Sequence, residues 1–496
     1  MNRKLVKLLG GVLTAITLAA CGGGGGGGGD TTASAPVVPA TPSNSNLVSL
    51  NTAATTSTVV KFATDGVTDN SSTVAVSGHF GSATAECYIT QTTPRNSIIV
   101  PAPNWSSLAV PDTPNYIVCV QSDGTVKEVS QQLFGKMYAI QGAYPVVGDL
   151  NGDGIDDIAL LRQCDCADNT TELHVFLSQA NGTYAHQIVP VGSTSEGGLT
   201  MHLAAGAQFS IMDINRDGQK DLVGTAGFVF LNDGAGHFNQ TQYNDPNTVL
   251  NGWQYATATC SGDFAGIGHD QLLIADRGMP DGKMQRNAVF DIDSNLNLIS
   301  RYELPIPYFS ALYGTQTGSH NFACRTADVM KNGKPWIFIY TSNYYATGPA
   351  LTQVQVYRND STNGVIAFTD VTSTALPGFV QAAGPSYEPR IVDVNGDGYP
   401  DMLLDGQTYG SGGATSGAQV WINNKDGTFH KAFTTELSDL FAAYKKQYTS
   451  SSGAEVDAML PILVNGKWNY IVELHNSGIG YNDYYLGVAN TQYIFK

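Results

Sequence analysis

The most regular feature of the chain is a short apolar run, then a stretch rich in Asp, Asn and Gly, then a second apolar run. Three copies align without gaps, at residues 147–158, 211–222 and 391–402. Short apolar runs separated by turn-forming residues are typical of two β-strands joined by a hairpin. Each copy is therefore predicted to be a strand, an acidic loop and a second strand.

Four weaker copies keep the apolar runs and lose most of the acids. The equivalent positions of all seven copies are His79, Asp149, Asp213, Asp263, Asp328, Asp393 and Pro461. Their spacing is roughly 64 residues, which is a repeat period of the kind found in propellers and solenoids. After most copies an Asn-Gly or Asp-Gly pair marks a second hairpin, at residues 123–124, 181–182, 233–234 and 426–427. Each repeat is thus predicted to contain four strands.

Seven repeats of this length account for nearly all of residues 47–496. A four-stranded unit cannot bury both of its faces alone, and radial stacking into a ring leaves only short sheet edges. The arrangement resembles the FG-GAP/VCBS repeat family, the propellers of the integrin-α type. That resemblance implies an all-β fold, a seven-bladed β-propeller of four-stranded blades. Too few strands follow the seventh repeat, so we expect a strand from residues 47–63 to complete the last blade.

The three acidic loops read Asp-x-Asn-x-Asp-Gly-x-x-Asp, with oxygen-bearing side chains at loop positions one, three, five and nine. Such oxygen ligands suit Ca²⁺, and the lack of His and Cys argues against zinc or copper. An EF-hand would need Glu at position twelve, where Leu160, Gly224 and Leu404 stand. We therefore expect three calcium sites, with position seven contributing its carbonyl. The expected ligands are Asp149, Asn151, Asp153, Ile155 and Asp157; Asp213, Asn215, Asp217, Gln219 and Asp221; and Asp393, Asn395, Asp397, Tyr399 and Asp401.

The alternative for these loops is that Asp, Asn and Gly simply form tight turns. Three copies in register, each gathering three like charges, favour a bound cation over that alternative. Outside a cell such sites would stay filled and would stabilise the fold. The loops at His79, Asp263, Asp328 and Pro461 lack the acids and are predicted to be metal-free.

The N-terminus has the pattern of an export signal. Residues 1–20 carry three basic residues and then an apolar run, and the run ends in Leu-Ala-Ala before Cys21. This pattern is typical of a signal peptide and resembles the lipobox of bacterial lipoproteins, in which the Cys is acylated. Residues 21–46 are rich in Gly, Ser and Pro, as flexible tethers are. We expect an exported lipoprotein of the outer membrane or cell surface, held only by its lipid; the alternative is a secreted protein with a free Cys21.

Six further cysteines are an even number, which favours disulfides in an exported protein. Cys260 and Cys324 fall on the innermost strands of neighbouring blades, with the choice open between a bridge and two buried thiols. Cys87 and Cys119 fall on neighbouring strands of the first blade. Cys164 and Cys166 are separated by one residue and would form a small ring or stay free.

The charge of the chain limits its partners. It has 25 Lys and Arg against 42 Asp and Glu, a net charge of −17, which disfavours nucleic acid and anionic membrane surfaces. We expect a monomer. Aromatic residues are frequent in the long loops predicted opposite the acidic ones, where they suit sugars or proteins, although packing within the loops is the alternative. The candidates are Trp105, Trp253, Tyr308, Tyr344, Tyr345, Tyr409 and Tyr484.

The sequence contains no nucleophile elbow, zinc-protease or phosphate-loop motif. We therefore favour a calcium-stabilised, membrane-anchored module that binds a protein or a polysaccharide, without catalysis. Two alternatives stay open. One is an extracellular enzyme that cleaves polysaccharide, a lyase or a hydrolase, which acid, base, Arg or His groups converging at the channel mouth would support. The other is a periplasmic assembly scaffold.

Overall fold

The structure is a computed structural model, and the chain divides into two compact units, Met1–Ser45 and Asn46–Lys496. All of the described residues lie in the second unit. They are 47–49, 58–64, 71–94, 117–120, 126–136, 145–162, 172–191, 209–224, 228–245, 256–276, 287–305, 320–342, 351–379, 382–383, 389–393, 395–404, 419–434, 454–464, 467–476 and 483–495. The predicted signal peptide, Cys21 and the tether lie outside this set.

The first half of the chain forms two N-terminal strands and then four sheets. The N-terminal strands are β1 (Leu47–Ser49) and β2 (Thr58–Thr64). Sheet 1 contains β3 (Ser71–Gly78), β4 (Cys87–Pro94), β5 (Ile117–Val120) and β6 (Val126–Glu128), followed by helix α1 (Ser130–Phe134). Sheet 2 contains β7 (Val146–Gly148), β8 (Asp157–Arg162), β9 (Glu172–Ser178) and β10 (Tyr184–Pro190). Sheet 3 contains β11 (Ser210–Met212), β12 (Asp221–Val223), β13 (Val229–Asn232) and β14 (Phe238–Thr241). Sheet 4 contains β15 (Ala256–Gly262), β16 (Gln271–Asp276), β17 (Ala288–Ile292) and β18 (Leu298–Glu303).

Three more sheets complete the chain. Sheet 5 contains β19 (His320–Ala327), β20 (Trp336–Ser342), β21 (Leu351–Asn359) and β22 (Phe368–Asp370), then helix α2 (Thr372–Ala375) and β23 (Ala382–Ala383). Sheet 6 contains β24 (Pro389–Val392), β25 (Asp401–Leu404), β26 (Gln419–Asn423) and β27 (Phe429–Thr434). Sheet 7 contains β28 (Ala454–Val464), β29 (Lys467–Asn476) and β30 (Asp483–Phe495).

Each sheet is an antiparallel meander in which consecutive strands pair. The described residues form five four-stranded sheets and two five-stranded ones, so the all-β fold with a four-stranded repeating unit is confirmed. In sheet 5 the fifth strand is β23, which pairs with β21. In sheet 7, β1 and β2 both pair with β30, and Val60 lies opposite Leu486. Strands from the two ends of the second unit therefore share one sheet.

The buried residues show why the sheets stack. In β16, Leu272 packs with Val223 of sheet 3, whereas the next residue, Leu273, packs with Ile337 of sheet 5. Successive side chains of a strand point to opposite faces, so this one strand buries a residue on each side of sheet 4. The strands therefore read as continuous apolar runs, which is the pattern of a sheet covered on both faces.

The first strands of the sheets lie against one another. Contacts join β3 to β7, β7 to β11, β11 to β15, β15 to β19 and β19 to β24, and further contacts join β25 to β28 and β28 to β3. Glycine permits the close approach at two of these steps. A Cβ on Gly78 would lie 2.6 Å from Val147, and one on Gly148 would lie 2.6 Å from Ile211. Any side chain there would push the next sheet away.

The prediction that the loop of the seventh repeat begins at Pro461 is wrong. Pro461 lies inside β28, opposite Tyr470, and does not begin a loop. The strand continues to Val464, and β29 begins at Lys467. The hairpin of sheet 7 is thus too short to contain an acidic loop. Within the described part of the chain, no helix is long and apolar enough to span a bilayer.

Candidate functional site

The three acidic loops connect the first and second strands of sheets 2, 3 and 6. They follow β7, β11 and β24, and each ends at the Asp that begins the next strand: Asp157, Asp221 and Asp401. All three loops occupy the same place in their sheets, because each joins the first strand to the second. The first strands of neighbouring sheets also lie against one another.

The aspartate at loop position one holds the turn by accepting backbone hydrogen bonds. Asp149 Oδ1 accepts from the N–H of Gly152 at 2.6 Å and of Asp153 at 3.1 Å, and Oδ2 accepts from Gly154 at 2.9 Å. Asp213 accepts in the same way from Asp217 at 3.0 Å and Gly218 at 2.9 Å. The equivalent bonds to Asp393 come from Gly396, Asp397 and Gly398.

Positions three and five continue the pattern. The side-chain oxygen of Asn151 accepts from the N–H of Asp153 at 3.0 Å, and Asp153 Oδ1 accepts from the N–H of Ile155 at 2.8 Å. Equivalent pairs of bonds recur in the loops that begin at Asp213 and Asp393. Three separate stretches of sequence therefore adopt one backbone conformation.

The aspartate at position nine is buried and ties the loop to its own sheet. Asp157 Oδ2 accepts from the N–H groups of Leu150 and Asn151 at 2.8 and 3.1 Å, and Oδ1 accepts from the N–H of Ser178 at 2.7 Å. Asp221 and Asp401 are equally buried and accept from the third strands of their sheets. Burial raises the pKa of Asp157 to about 6, and it does the same for Asp221.

Two loops that lack the other acids serve as internal controls for the role of position one. Asp263 accepts from the N–H groups of Ile267 and Gly268, both at 2.8 Å. Asp328 accepts from Asn332 at 3.0 Å and Gly333 at 2.7 Å. The first aspartate therefore shapes the turn whether or not other carboxylates accompany it. The asparagine at position three and the carboxylates at positions five and nine distinguish the three acidic loops.

Position nine of the loop at Asp263 is a buried glutamine. Gln271 accepts from the N–H of Ala265 at 2.9 Å, and its amide donates to the carbonyl of His269 at 2.7 Å. A neutral side chain thus replaces the bonds that Asp157 makes in its own loop. The acid at position nine is not required for the fold of the loop.

The donor set of the acidic loops fits a hard cation. Each loop gathers three carboxylates and one amide oxygen within nine residues, and a carboxylate oxygen that accepts one N–H retains a further lone pair. In the described part of the chain, no three His, Cys, Asp or Glu side chains are arranged to enclose a metal ion. The second oxygen of the position-five carboxylate contacts a protein donor in each loop: Ser178 Oγ in sheet 2, Asn215 Nδ2 in sheet 3, and both Asn395 Nδ2 and Lys425 Nζ in sheet 6. Enclosing a cation would require these carboxylates to exchange that donor for the ion.

A repeated asparagine links neighbouring sheets, and the sequence alone did not reveal it. Asn232, at the end of β13, donates to the carbonyl of Leu150 in the loop of sheet 2 at 2.8 Å. Asn359 donates to Phe264 at 3.0 Å, and Asn423 donates to Val329 at 2.9 Å. All three asparagines are buried. The available signal was an Asn just before the polar turn that follows the third strand in sheets 3, 5 and 6.

A group of acidic and basic side chains joins three sheets at the loop after β3. His79 Nδ1 lies 3.2 Å from Asp156 Oδ2 of sheet 2, and His79 Nε2 lies 3.7 Å from Glu86 Oε1. Arg390 of β24 approaches Glu86 Oε2 at 3.6 Å. His79 and Glu86 are well exposed. The loop that has lost its position-one aspartate thus carries an imidazole and a carboxylate that face each other.

Four of the cysteines form disulfides. Cys87 and Cys119 lie opposite each other on β4 and β5 and are bonded. Cys260 and Cys324 are bonded across the first strands of sheets 4 and 5. Cys164 and Cys166 lie outside the described residues.

Most of the aromatic residues predicted to form a ligand-binding face are not among the described residues. The positions concerned, Trp105, Trp253, Tyr308, Tyr344, Tyr345 and Tyr409, lie outside the described residues. Tyr484 belongs to β30, where its backbone lies opposite Ala63. The expected binding face opposite the acidic loops stays a prediction.

Comparison with known proteins gives no family. No protein-family model and no curated protein matches the chain. Solved structures align over most of its length. A lectin from Agrocybe aegerita, which recognises non-reducing terminal N-acetylglucosamine, is 15% identical with a TM-score of 0.40, covering 86% of this chain and 94% of that one. A protein of unknown function from Dyadobacter fermentans is 9% identical with a TM-score of 0.40, over 88% and 99%. A polysaccharide lyase is 10% identical with a TM-score of 0.34, over 86% and 90%. Likeness at this level carries no argument about function.

Proposed function

We propose that the protein is a calcium-stabilised, seven-bladed propeller, anchored to a bacterial membrane by a lipid on Cys21, that binds a protein or a polysaccharide. The observation that carries the calcium part is the repeated loop conformation at Asp149, Asp213 and Asp393. Two further carboxylates follow the first at fixed positions in each of these loops and are missing from the loops at Asp263 and Asp328. Three carboxylates gathered within nine residues repel one another, and a bound cation would offset that repulsion.

The propeller part rests on the contacts between first strands. They run in order from β3 to β24, continue through β25 to β28, and return from β28 to β3. Contact between the last sheet and the first supports a ring in which each sheet is one blade. Pairing of β2 with β30 supports closure, because strands from both ends of the second unit then build the seventh blade.

The binding role follows from how the repeats use the sequence. Strands and acidic loops account for most of the described residues, and their side chains are occupied in packing and in shaping turns. The long connections between them are the segments left to meet a partner, and they contain the aromatic residues Trp105, Trp253 and Tyr308.

The experiment is a glycan array and a pull-down from envelope extract with the purified protein, each run with calcium and after chelation. Specific capture that weakens without calcium supports the proposal. Capture of nothing in either condition, together with an absence of calcium binding by calorimetry, contradicts it. Labelling with a radioactive fatty acid, compared between the natural protein and Cys21→Ser, tests the anchor separately.

A second candidate is an enzyme that cleaves polysaccharide, and the group around His79 favours it. Asp156 faces one ring nitrogen of His79, and the other nitrogen faces Glu86, which Arg390 approaches. A histidine oriented by a carboxylate is suited to proton transfer. Loss of viscosity of an acidic or neutral polysaccharide, abolished in His79→Ala and in Glu86→Gln, would support an enzyme. Unchanged viscosity with all polymers would leave the binding role preferred.

A further inference from the structure

The three acidic loops differ in what contacts the carboxylate at position five. In the loop of sheet 2, Asp153 Oδ2 accepts from the hydroxyl of Ser178, and in sheet 3, Asp217 Oδ2 accepts from the amide of Asn215 at 2.8 Å. Both partners are neutral. In sheet 6, Asp397 Oδ2 likewise accepts from the amide of Asn395, at 3.1 Å, but it also contacts the ammonium of Lys425, whose Nζ lies 3.2 Å away.

Lys425 is held over the loop by two further features. Its ammonium lies 5.0 Å from the ring centroid of Tyr399, the residue at position seven, which is a cation–π contact. Its backbone N–H donates to Asn423 Oδ1 at 2.7 Å, and Asn423 is the buried residue that links sheets 5 and 6. The side chain therefore extends from a fixed turn directly toward the acidic loop.

Arg216, a basic residue of another acidic loop, does not do this. Arg216 sits within the loop of sheet 3, but its guanidinium donates to the carbonyl of Ile292 in sheet 4 at 2.8 Å and lies 3.8 Å from Asp291. Its charge is directed away from Asp213 and Asp217. Among the described residues, Asp397 thus differs from Asp153 and Asp217 in having a lysine ammonium against its carboxylate.

From these contacts we infer that Lys425 is a built-in competitor for the cation, so that the loop at Asp393 binds calcium more weakly than the loops at Asp149 and Asp213. The inference rests on the proposed calcium sites and assigns them an order. For calcium to use Asp397 fully, the ammonium must leave both the carboxylate and the ring of Tyr399, and it would still lie near a divalent ion of like charge. An exposed ion pair and a cation–π contact together set the expected difference at about tenfold in dissociation constant.

The order predicts how the protein responds to calcium. At a concentration that fills the first two loops, the loop of sheet 6 would be partly empty, with Lys425 supplying the neutralising charge. The loop of sheet 6 would then keep its conformation with or without calcium, because either the ion or the Lys425 ammonium neutralises its carboxylates. Sheets 2 and 3 have no such substitute, and their loops would depend on the metal.

The test is calorimetric titration of the purified protein with Ca²⁺, comparing the natural chain with Lys425→Gln. Two sites of similar affinity and a third about tenfold weaker are expected in the natural chain. In Lys425→Gln the third site should tighten to within a few-fold of the others. The matched control is Lys431→Gln, which removes a lysine of the same sheet that lies over Trp421 and leaves the loop untouched.

A second readout identifies which loop is the weak one. Tyr399 is the aromatic residue at position seven, where the other two acidic loops have Ile155 and Gln219. Terbium bound in the loop of sheet 6 should therefore emit by energy transfer from this ring, and Tyr399→Leu should remove that emission. Tyr184, whose hydroxyl lies 2.7 Å from the Asp156 carbonyl, should sensitise terbium in the loop of sheet 2, so the readout is the part of the emission that Tyr399→Leu removes. In the natural chain that part should appear late in the titration, and in Lys425→Gln it should appear with the first equivalents.

Three outcomes overturn the inference. Three equal sites in the natural chain would do so while leaving the calcium proposal intact. A weak site that stays weak in Lys425→Gln, while that variant melts as the natural chain does, would also do so. Failure of every variant to bind calcium would overturn the proposed sites themselves, and the order with them.

Discussion

The side-chain amide of Asn232 donates to the carbonyl of Leu150 at 2.8 Å, across 82 positions of sequence. The same amide also donates to the carbonyl of Lys220 at 3.0 Å, and its oxygen accepts from the N–H of Gly234 at 3.1 Å. One buried side chain therefore joins the acidic loop of sheet 2 to the acidic loop and the second hairpin of sheet 3. Equivalent contacts by Asn359 and Asn423 make this a general device of the fold.

Replacing Asn232 with Ala should destabilise the protein by about 2–3 kcal/mol, because several buried polar groups of the backbone lose their partners. Urea denaturation measures this change. The control is Asn239→Ala, at an exposed position of β14 in the same sheet, which should lie within about 0.5 kcal/mol of the natural protein. A loss no greater than that of the control would show that the contact with Leu150 is replaced by water at little cost.

Chelation of calcium should lower the melting temperature by several degrees. A ligand that binds only the native state stabilises it by about 2.7 kcal/mol when present at a hundred times its dissociation constant. Asp153→Asn combined with Asp217→Asn should reduce the effect of the chelator, measured by calorimetric scanning. Asp263→Asn, in a loop expected to be metal-free, should leave the effect unchanged. A melting temperature that does not change on addition of the chelator would favour the alternative that these loops simply form tight turns.

Removing the bridge between sheets 4 and 5 should be costly. The disulfide of Cys260 and Cys324 closes a segment with a sequence separation of 64. The chain-entropy relation gives about 4 kcal/mol for a loop of this length. Cys260→Ser with Cys324→Ser should show this loss in denaturant titrations under oxidising conditions, and the cost should vanish when both proteins are reduced. The Cys87 and Cys119 pair, with a separation of 32, should cost slightly less.

Mild acid should weaken sheet 2 through a histidine pair. His186 Nε2 lies 3.0 Å from His174 Nδ1, and the ring of His186 stacks on Phe176 with 4.5 Å between centroids. Burial, with contributions from His174 and Lys136, lowers the pKa of His186 to about 4, whereas Glu172 acts in the opposite direction. The native state thus resists a proton that the unfolded chain accepts near pH 6.5.

The sign of this effect follows from proton linkage. The contribution of His186 to stability is complete above pH 6.5 and is lost as the pH falls toward 4. After allowance for solvent screening the loss is about 1–2 kcal/mol. Unfolding free energies measured at several pH values should fall more steeply for the natural protein than for His186→Phe. Parallel curves for the two proteins would exclude this histidine as the cause.

The repeats were predictable because their signal is local. The acidic loops at Asp149, Asp213 and Asp393 mark the first hairpin of three repeats, and an Asn-Gly or Asp-Gly pair marks the second, so four strands are predictable from nearby residues. The predicted loop at Pro461 is wrong, because the acids are missing there and only the regular interval between repeats indicated a loop. Without charged residues to mark a turn, the local sequence does not show whether a strand ends at Pro461 or continues through it, as β28 does.

The contacts between sheets were not predictable in the same way. Asn232 and Leu150 are far apart in sequence, and an asparagine before a turn is expected to serve its own turn. The group of His79, Glu86 and Arg390 joins residues from the first and sixth sheets, which no repeat period relates. The ion pair between Lys425 and Asp397 was also not predictable, because Lys425 has the sequence context of an ordinary turn residue and only the fold of sheet 6 brings the two together.

The pairing of β1 and β2 with β30 has a consequence for synthesis. Strands β1 and β2 cannot pair with β30 until β30 has been synthesised. Until then the edges of β1 and β2 stay unpaired, and exposed strand edges invite pairing with other chains. Assembly with contacts this distant is slow. A polypeptide interrupted shortly before its end would therefore be the form most in need of a chaperone or a protease.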